Sequence, residues 1–356
     1  MAGLAIHRVT KQFGDHQAVD DLSLEIAPGE FVALLGPSGC GKTTMLRMLA
    51  GFEQISSGIL TLNGTLLASD QHHVPPEQRN MAMVFQSYAL WPHMSVADNV
   101  GYPLKLRRIQ GSEYQRRVAH ALEQVALTPY AQRAPQELSG GQRQRVALAR
   151  CLVTDPDVVL LDEPLANLDR NLRASMEHSF VDFHRRTQAT MVYVTHDQSE
   201  AMAMADRIAV MRDGALVQWA TPETLYREPR SEWVARFIGQ GSQLKVAGGA
   251  PGQRLSEPAL MQGLAAPLEA RTQPVLVRPE HIRIEAHSPA PSSAQSPNSH
   301  ALTGRVERLT FRGERYELHL RLSTGEALLA YHHTALNEGQ HVAVRLLEGW
   351  CLEPDQ

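Results

Sequence analysis

Eight consecutive residues, Gly36-Pro37-Ser38-Gly39-Cys40-Gly41-Lys42-Thr43, constrain this chain more than any other stretch of it. They follow the apolar run Phe31-Val32-Ala33-Leu34-Leu35, short enough for a buried strand. Thr43 to Ala50 comes next, and its apolar spacing predicts a helix ending before Gly51. Gly36, Gly39 and Gly41 let the backbone turn tightly, so successive N–H groups and the positive helix N-terminus converge on one point. Phosphate oxygens satisfy such a cluster of donors. Lys42 adds a mobile positive charge for terminal phosphates, Thr44 continues the helix, and the Thr43 hydroxyl suits Mg2+, which prefers hard oxygen ligands.

A length of 356 residues allows one large core plus a smaller one, so two domains are expected. The formal charge of -4, with no Lys/Arg-rich block, gives no electrostatic case for nucleic acid. Cys40, Cys151 and Cys351 show no paired spacing for zinc and are odd in number for a disulfide framework, which fits a reducing compartment. The opening residues lack a basic segment followed by an apolar stretch, and no apolar run approaches the roughly 18 residues of a membrane span. The expectation is a cytoplasmic protein that reaches a membrane only through a partner.

The first thirty or so residues read as strands around a turn at Gly14-Asp15, and Gly58 to Leu67 as a hairpin around Asn63-Gly64. Tyr114, Val118, Leu122 and Val125 share a helical face, and a second helix is expected over 142–153, directly after Gly140-Gly141. Apolar runs at Val158 to Leu161, Met191 to Val194 and Ile208 to Met211 alternate with helices, which predicts an α/β fold around a mainly parallel sheet. Beyond about residue 240 the texture changes to short strands, among them Tyr316 to Leu322 with strict alternation, and a small all-β domain is expected. Ser288 to Ser299 holds no Asp, Glu, Lys or Arg, so a mobile loop is expected near 287–300.

Val158-Val159-Leu160-Leu161 would deliver Asp162 to the C-terminal tip of a buried strand, where open α/β sheets bind ligands. Asp162 is thus a candidate for the Mg2+ shell. Glu163 points differently and is a candidate general base for an attacking water. Gln86 ends the apolar run Met83-Val84-Phe85, and its amide oxygen is placed to sense Mg2+ or that water; the aromatic-rich Ser87 to Pro92 follows, as a docking surface or a buried loop.

With the glycine-rich loop, Leu138-Ser139-Gly140-Gly141-Gln142, Val158 to Pro164 and Val194-Thr195-His196-Asp197 in this order, the chain resembles an ABC transporter ATPase subunit over roughly residues 4 to 240. The resemblance implies a P-loop NTPase fold with a helical subdomain at 1–240, followed by an OB-like (TOBE) domain at 241–356. It implies ATP and Mg2+ as ligands, bound by the loop from Gly36 to Thr44, with Phe13 against adenine. Core packing is the competing role for Phe13, with Val19 as an apolar companion of the ring. His196 resembles the histidine that hydrogen-bonds the γ-phosphate. Ser139, Gly140, Gly141 and Gln142, with Asp169, would face the nucleotide of the opposite subunit in a head-to-tail homodimer. Cys40, near a helix start, is expected to favour thiolate, so that alkylation stops hydrolysis.

Val277-Arg278-Pro279-Glu280-His281-Ile282-Arg283-Ile284 is similar to the lead-in strand of the OB-type domain of solute-importer ATPases. The expected partners are two transmembrane permease subunits and an extracytoplasmic solute-binding protein, with no nucleic acid. Phe237-Ile238-Gly239 is followed by Gln240-Gly241-Ser242-Gln243 rather than the segment found in sugar-importing relatives, which favours polyamine, ferric ion, phosphonate or another oxyanion. An exporter ATPase, or a soluble ABC ATPase acting on DNA or ribosomes, is the alternative.

Overall fold

The structure, a computed structural model, describes residues 3–84, 89–166, 170–286 and 302–355. Gln86, Asp169 and the Ser/Pro-rich stretch at 287–300 lie outside the described residues. The chain divides into two compact units, residues 1–222 and 223–356.

The first unit contains strands β1 (Leu4–Phe13), β2 (His16–Ile26), β3 (Phe31–Leu35), β4 (Ser57–Leu62), β5 (Thr65–Ala68), β6 (Met81–Val84), β7 (Val158–Asp162), β8 (Thr190–Thr195), β9 (Arg207–Arg212) and β10 (Ala215–Ala220). Its helices are α1 (Lys42–Ala50), α2 (Val96–Leu106), α3 (Gly111–Gln124), α4 (Gly140–Leu152), α5 (Arg170–Thr187) and α6 (Gln198–Met204). Two sheets form, a four-stranded antiparallel one in the order β2-β1-β4-β5 and a six-stranded one in the order β10-β9-β3-β8-β7-β6. The second is parallel except for its edge strand β10, which returns antiparallel after the Asp213-Gly214 turn.

Burial on both faces explains why the central strands are continuously apolar. Val32 and Leu34 of β3, Leu160 of β7 and Val192 and Val194 of β8 join a core shared with α1 and the antiparallel sheet. Phe31, Val159, Leu161, Met191 and Tyr193, alternating with them, face a second core built with the helices on the other side. One side chain per pleat goes each way.

Helix α2 is absent from the sequence reading, although Ser95 caps it by accepting from the Asp98 amide at 3.1 Å. Gly101 and Pro103 inside it disguise the pattern. Helix α4 begins two residues earlier than expected. Ser139 is its N-cap, accepting from the Gln142 amide at 3.3 Å, and Gln142 Oε1 accepts from the Ser139 amide at 2.9 Å. Both donors are satisfied reciprocally, so Gly140 and Gly141 become the first helical residues.

Arg79 is 1% exposed. Its Nη1 donates to the Met48 and Leu49 carbonyls at the end of α1 at 2.6 and 2.8 Å, and its Nε to the Val74 carbonyl at 2.7 Å. A guanidinium at a helix C-terminus meets both the last unsatisfied carbonyls and the negative dipole end. Burial pulls its pKa down to about 10, which still leaves it charged at neutral pH.

The second unit carries β11 (Ser242–Val246), β12 (Arg254–Ser256), β13 (Gln273–Val277), β14 (Ile282–Ala286), β15 (Leu302–Phe311), β16 (Tyr316–Leu322), β17 (Ala327–His332), β18 (His341–Leu346) and β19 (Glu348–Cys351), with helices α7 (Pro222–Arg227), α8 (Glu232–Phe237) and α9 (Glu257–Ala265). Two antiparallel sheets, β11-β13-β19-β12 and β14-β18-β15-β16-β17, enclose one core with α9. The domain is β-rich, and α9 is an addition to the expected strands. The expected lead-in strand is two strands broken at Pro279, whose ring starts a 3-10 turn. Buried Arg278 at this break donates to the carbonyls of Ile238 and Gln240, each at 2.8 Å, and of Tyr226. With Ala235 of α8 packed on Leu276 and Leu352, this places α8 inside the second unit, so the compact units divide at 222/223 rather than 240/241.

Replacing Arg79 by Met removes the guanidinium donors from the Met48 and Leu49 carbonyls, leaving the Gly51 amide on Met48, and is expected to cost about 3 kcal/mol. Native-state hydrogen exchange of α1 amides measures it, and unchanged protection would contradict the anchoring role.

Candidate functional site

Parallel pairing brings three chain segments to one edge of the six-stranded sheet. Leu35 at the end of β3 pairs with Thr195 at the end of β8, and Asp162 at the end of β7 pairs with Val194. The glycine-rich loop, the Asp162-Glu163 pair and His196 therefore leave the sheet side by side, at the carboxyl ends where open α/β sheets take ligands. Val84, the last described residue of β6, pairs with Leu161, so Gln86 follows a strand that ends on the same edge.

The loop is held by close backbone contacts. A Cβ on Gly36 would overlap the Met211 carbonyl oxygen, and one on Gly41, at φ 100°, the carbonyl oxygen of Ala18. Only glycine fits at these two positions. The Cys40 carbonyl accepts from the Gly214 amide at 3.3 Å, which ties the loop to the β9–β10 turn. Lys42 is 5% exposed, and its Nζ donates to the carbonyls of Gly36 and Pro37 at 2.7 and 2.8 Å. The loop is thus wrapped around its own cation, with the α1 N-terminus behind it.

Asp162 lies beside α1. Burial and the neighbouring Glu163 raise its pKa above the ordinary carboxylate value, while Arg47 and a hydrogen bond from Thr43 oppose them. A hydroxyl and a carboxylate oxygen side by side, with negative charge in excess of its local compensation, form a hard-oxygen pair of the kind Mg2+ takes. Glu163 follows in left-handed backbone at φ 43°, fixed by its amide donating to the Val194 carbonyl at 3.1 Å. Glu163 Oε2 lies 3.3 Å from His196 Nδ1, and the imidazole is 58% exposed.

Ser139 is exposed, Gly140 half-buried and Gly141 buried, and the capping box leaves the Gly140 and Gly141 amides at the helix start. Three expectations change. Val19 is fully buried in the core and borders Gly41, so it is no companion for the exposed Phe13 ring. Phe13 is 45% exposed with Lys11 Nζ 4.6 Å from its centroid, so the competing role in core packing does not hold. Cys40 is 3% exposed and burial raises its thiol, outweighing Lys42 Nζ at 3.7 Å; the expected thiolate is corrected to a shielded thiol.

Several residues at the site carry no motif in the sequence. Gln144, fully buried in α4, donates to the Pro164 carbonyl next to Glu163 at 3.4 Å. Glu200, 3% exposed, accepts from Tyr193 and Thr195, and Arg173 bonds Asp197. The one signal available was the Asp197-Gln198-Ser199-Glu200 helix start, where the Asp197 side chain caps by accepting from the Ser199 amide.

Comparison with known proteins fits this geometry. A profile described as ABC transporter matches residues 19–166 and one described as TOBE domain matches residues 275–352. The spermidine/putrescine import ATP-binding protein PotA of Nitratidesulfovibrio vulgaris is 41% identical over 98% of this chain and 96% of its own. The trehalose/maltose import ATP-binding protein MalK of Thermococcus litoralis is 52% identical over 67% of this chain and 65% of its own. Among solved structures, cbiO1 from Clostridium perfringens, part of the ABC transporter complex cbiONQ, aligns with a TM-score of 0.59 and 25% identity over 63% of this chain and 90% of that one.

The two profiles fall in order on the first and second units of this chain, a P-loop ATPase followed by a β-rich TOBE domain. The chain belongs to the ABC transporter family, as an importer ATP-binding subunit with a C-terminal TOBE domain. It is an ATPase.

The raised Asp162 carboxyl sets a pH-dependent cost. A carboxyl whose folded pKa exceeds its unfolded value opposes folding at neutral pH, and the cost is relieved as pH falls through the folded pKa. Asp162→Asn is therefore expected to raise the melting temperature at pH 7, with the gain vanishing in acid. A variant less stable than the wild type at pH 7 would contradict the origin given for the shift. For Cys40, intact-protein mass spectrometry is expected to show slow iodoacetamide labelling at neutral pH, accelerating as pH rises; full labelling within a minute would restore the thiolate.

Proposed function

We propose that the chain powers import of a polyamine, working as a homodimer on the inner face of the cell membrane with two permease subunits and an extracytoplasmic binding protein. The observation that carries this reading is the meeting of the loop, Asp162-Glu163 and His196 at one sheet edge, in a chain that aligns almost end to end with a polyamine-import relative. No helix among the described residues is long and apolar enough to cross a membrane, so transport requires separate spanning partners.

ATP phosphates sit in the Gly36–Thr44 loop, where Pro37 and Ser38 shape the turn and the amides through Thr44 supply the donors. Lys42 turns from the Gly36 and Pro37 carbonyls to the terminal phosphates, and Phe13 stacks on adenine. Thr43, Asp162 and Gln86 would hold Mg2+, which would neutralise phosphate charge when bound. Glu163 accepts a proton from the attacking water, and His196, oriented by Glu163 through Nδ1, donates towards the γ-phosphate from the other side of its ring. Ser139, Gly140, Gly141 and Gln142, with Asp169, complete the partner's site, so that ATP closes the dimer and hydrolysis opens it.

The substrate reading is finer than the family, because the sugar-import relative is also similar. Solute choice lies with the permeases and binding protein. ATPase stimulation by putrescine or spermidine, in vesicles holding the cognate permeases and binding protein, is the expected result; stimulation by maltose, ferric ion or a phosphonate instead moves the solute assignment.

Glu163→Gln is expected to bind ATP and dimerise while turnover falls at least about 100-fold. Ordinary turnover by that variant takes the general-base role from Glu163. Full-speed hydrolysis by a strict monomer, with Ser139 and Gly141 dispensable, excludes the shared site.

A further inference from the structure

His196 has little of its own to hold it. Its ring is more than half exposed, and among the described residues its side-chain contact is with Glu163. Its position must come from the backbone turn on which it sits.

That turn is gripped on both sides. Thr195 Oγ1 donates to Glu200 Oε2 at 2.7 Å and accepts from the Asp197 amide at 2.9 Å, spanning His196. The Tyr193 hydroxyl donates to the same Glu200 oxygen at 2.7 Å. Glu200 Oε1 lies 3.5 Å from Arg173 Nε, and Arg173 Nη1 donates to Asp197 Oδ2 at 3.1 Å. One guanidinium thus bridges the residue after His196 and the buried carboxylate that anchors the residue before it. A buried carboxylate persists only when its charge is compensated and its oxygens are hydrogen-bonded, and Arg173 is the ion-pair partner Glu200 has. Glu177, one turn along α5, adds negative charge around the same guanidinium.

Arg173 also has a position in the chain that matters. It lies in the first turn of α5, which starts at Arg170, directly after the segment holding Asp169. One hydrogen bond to Asp197 and a 3.5 Å ion contact to Glu200 thus tie the start of α5 to the His196 turn.

We propose that Arg173 is a positioning residue for hydrolysis, locking the His196 turn through Asp197 and Glu200. This rests on the assignment of His196 to the hydrolytic site. Arg173→Met keeps the stem and removes the fork; Arg173→Lys keeps the charge, but a point charge cannot span both carboxylates as the planar fork does.

The test is steady-state ATPase of the purified full chain for Arg173→Met, Arg173→Lys, His196→Ala and the Arg173→Met/His196→Ala double variant. Turnover is expected to fall about 10- to 100-fold in Arg173→Met with KM for ATP nearly unchanged, and to be partly restored in Arg173→Lys. In the His196→Ala background, removing Arg173 is expected to cost almost nothing further, because a residue that acts through another loses its effect when that other is gone. Independent, multiplying losses, or a raised KM at unchanged turnover, would overturn the proposal. If Arg173→Met does not fold by circular dichroism, Glu200→Gln takes its place in the same cycle with the same expected result. A His196→Ala variant with ordinary turnover overturns the site assignment and this inference together; a His196-dependent enzyme indifferent to Arg173 overturns this inference alone.

Discussion

The in-register parallel pairing of β3, β8 and β7 is the constraint on which the rest depends. Since Leu35 pairs with Thr195 and Asp162 with Val194 one step before it, the segments after them leave the sheet at the same edge. A slip of one residue along any of these strands would exchange the side chains it sends to the two cores and shift the phosphate loop against the carboxylates. The two-sided core prevents the slip, because each strand buries alternate side chains in different clusters.

Charge is buried in the first unit at some cost, at this edge and at the far end of α1. Lys42 and Arg79 are cations held almost out of water by carbonyls, and Asp162 is a carboxylate whose charged form is disfavoured. Each is tolerable only in a rigid surrounding that leaves no freedom to escape into solvent. The capping box at α4 and the hydrogen bonds around Glu200 supply similar rigidity to the two other polar turns. Pre-set donors and charges of this kind need no rearrangement when a polyphosphate arrives.

Much of this was legible in the sequence, and for local reasons. A glycine-rich turn between an apolar run and a helix, or an apolar run ending in Asp162-Glu163, carries its geometry within a few residues. Helix α2 escaped notice because Gly101 and Pro103 interrupt its pattern, although Ser95 and Asp98 mark its start. Arg79 and Arg173 escaped because their partners lie far along the chain, Arg79 on carbonyls 30 and 31 residues away and Arg173 on a carboxylate 24 residues away. Cys40 was misjudged because a helix N-terminus argues for thiolate, whereas burial, which no single sequence displays, argues more strongly for thiol. The 222/223 division depends likewise on Arg278 reaching back to carbonyls in α7 and beyond α8.

The left-handed backbone of Glu163 has a further consequence. Such a conformation is inexpensive for glycine and asparagine and unfavourable for most other residues, so this position works against its own occupant. Relaxing the chain there would give a more comfortable turn but carry the carboxylate away from its 3.3 Å approach to His196 Nδ1. The site therefore stands at a local optimum where substitutions that improve stability at position 163 and those that preserve its chemistry draw from different sets of amino acids.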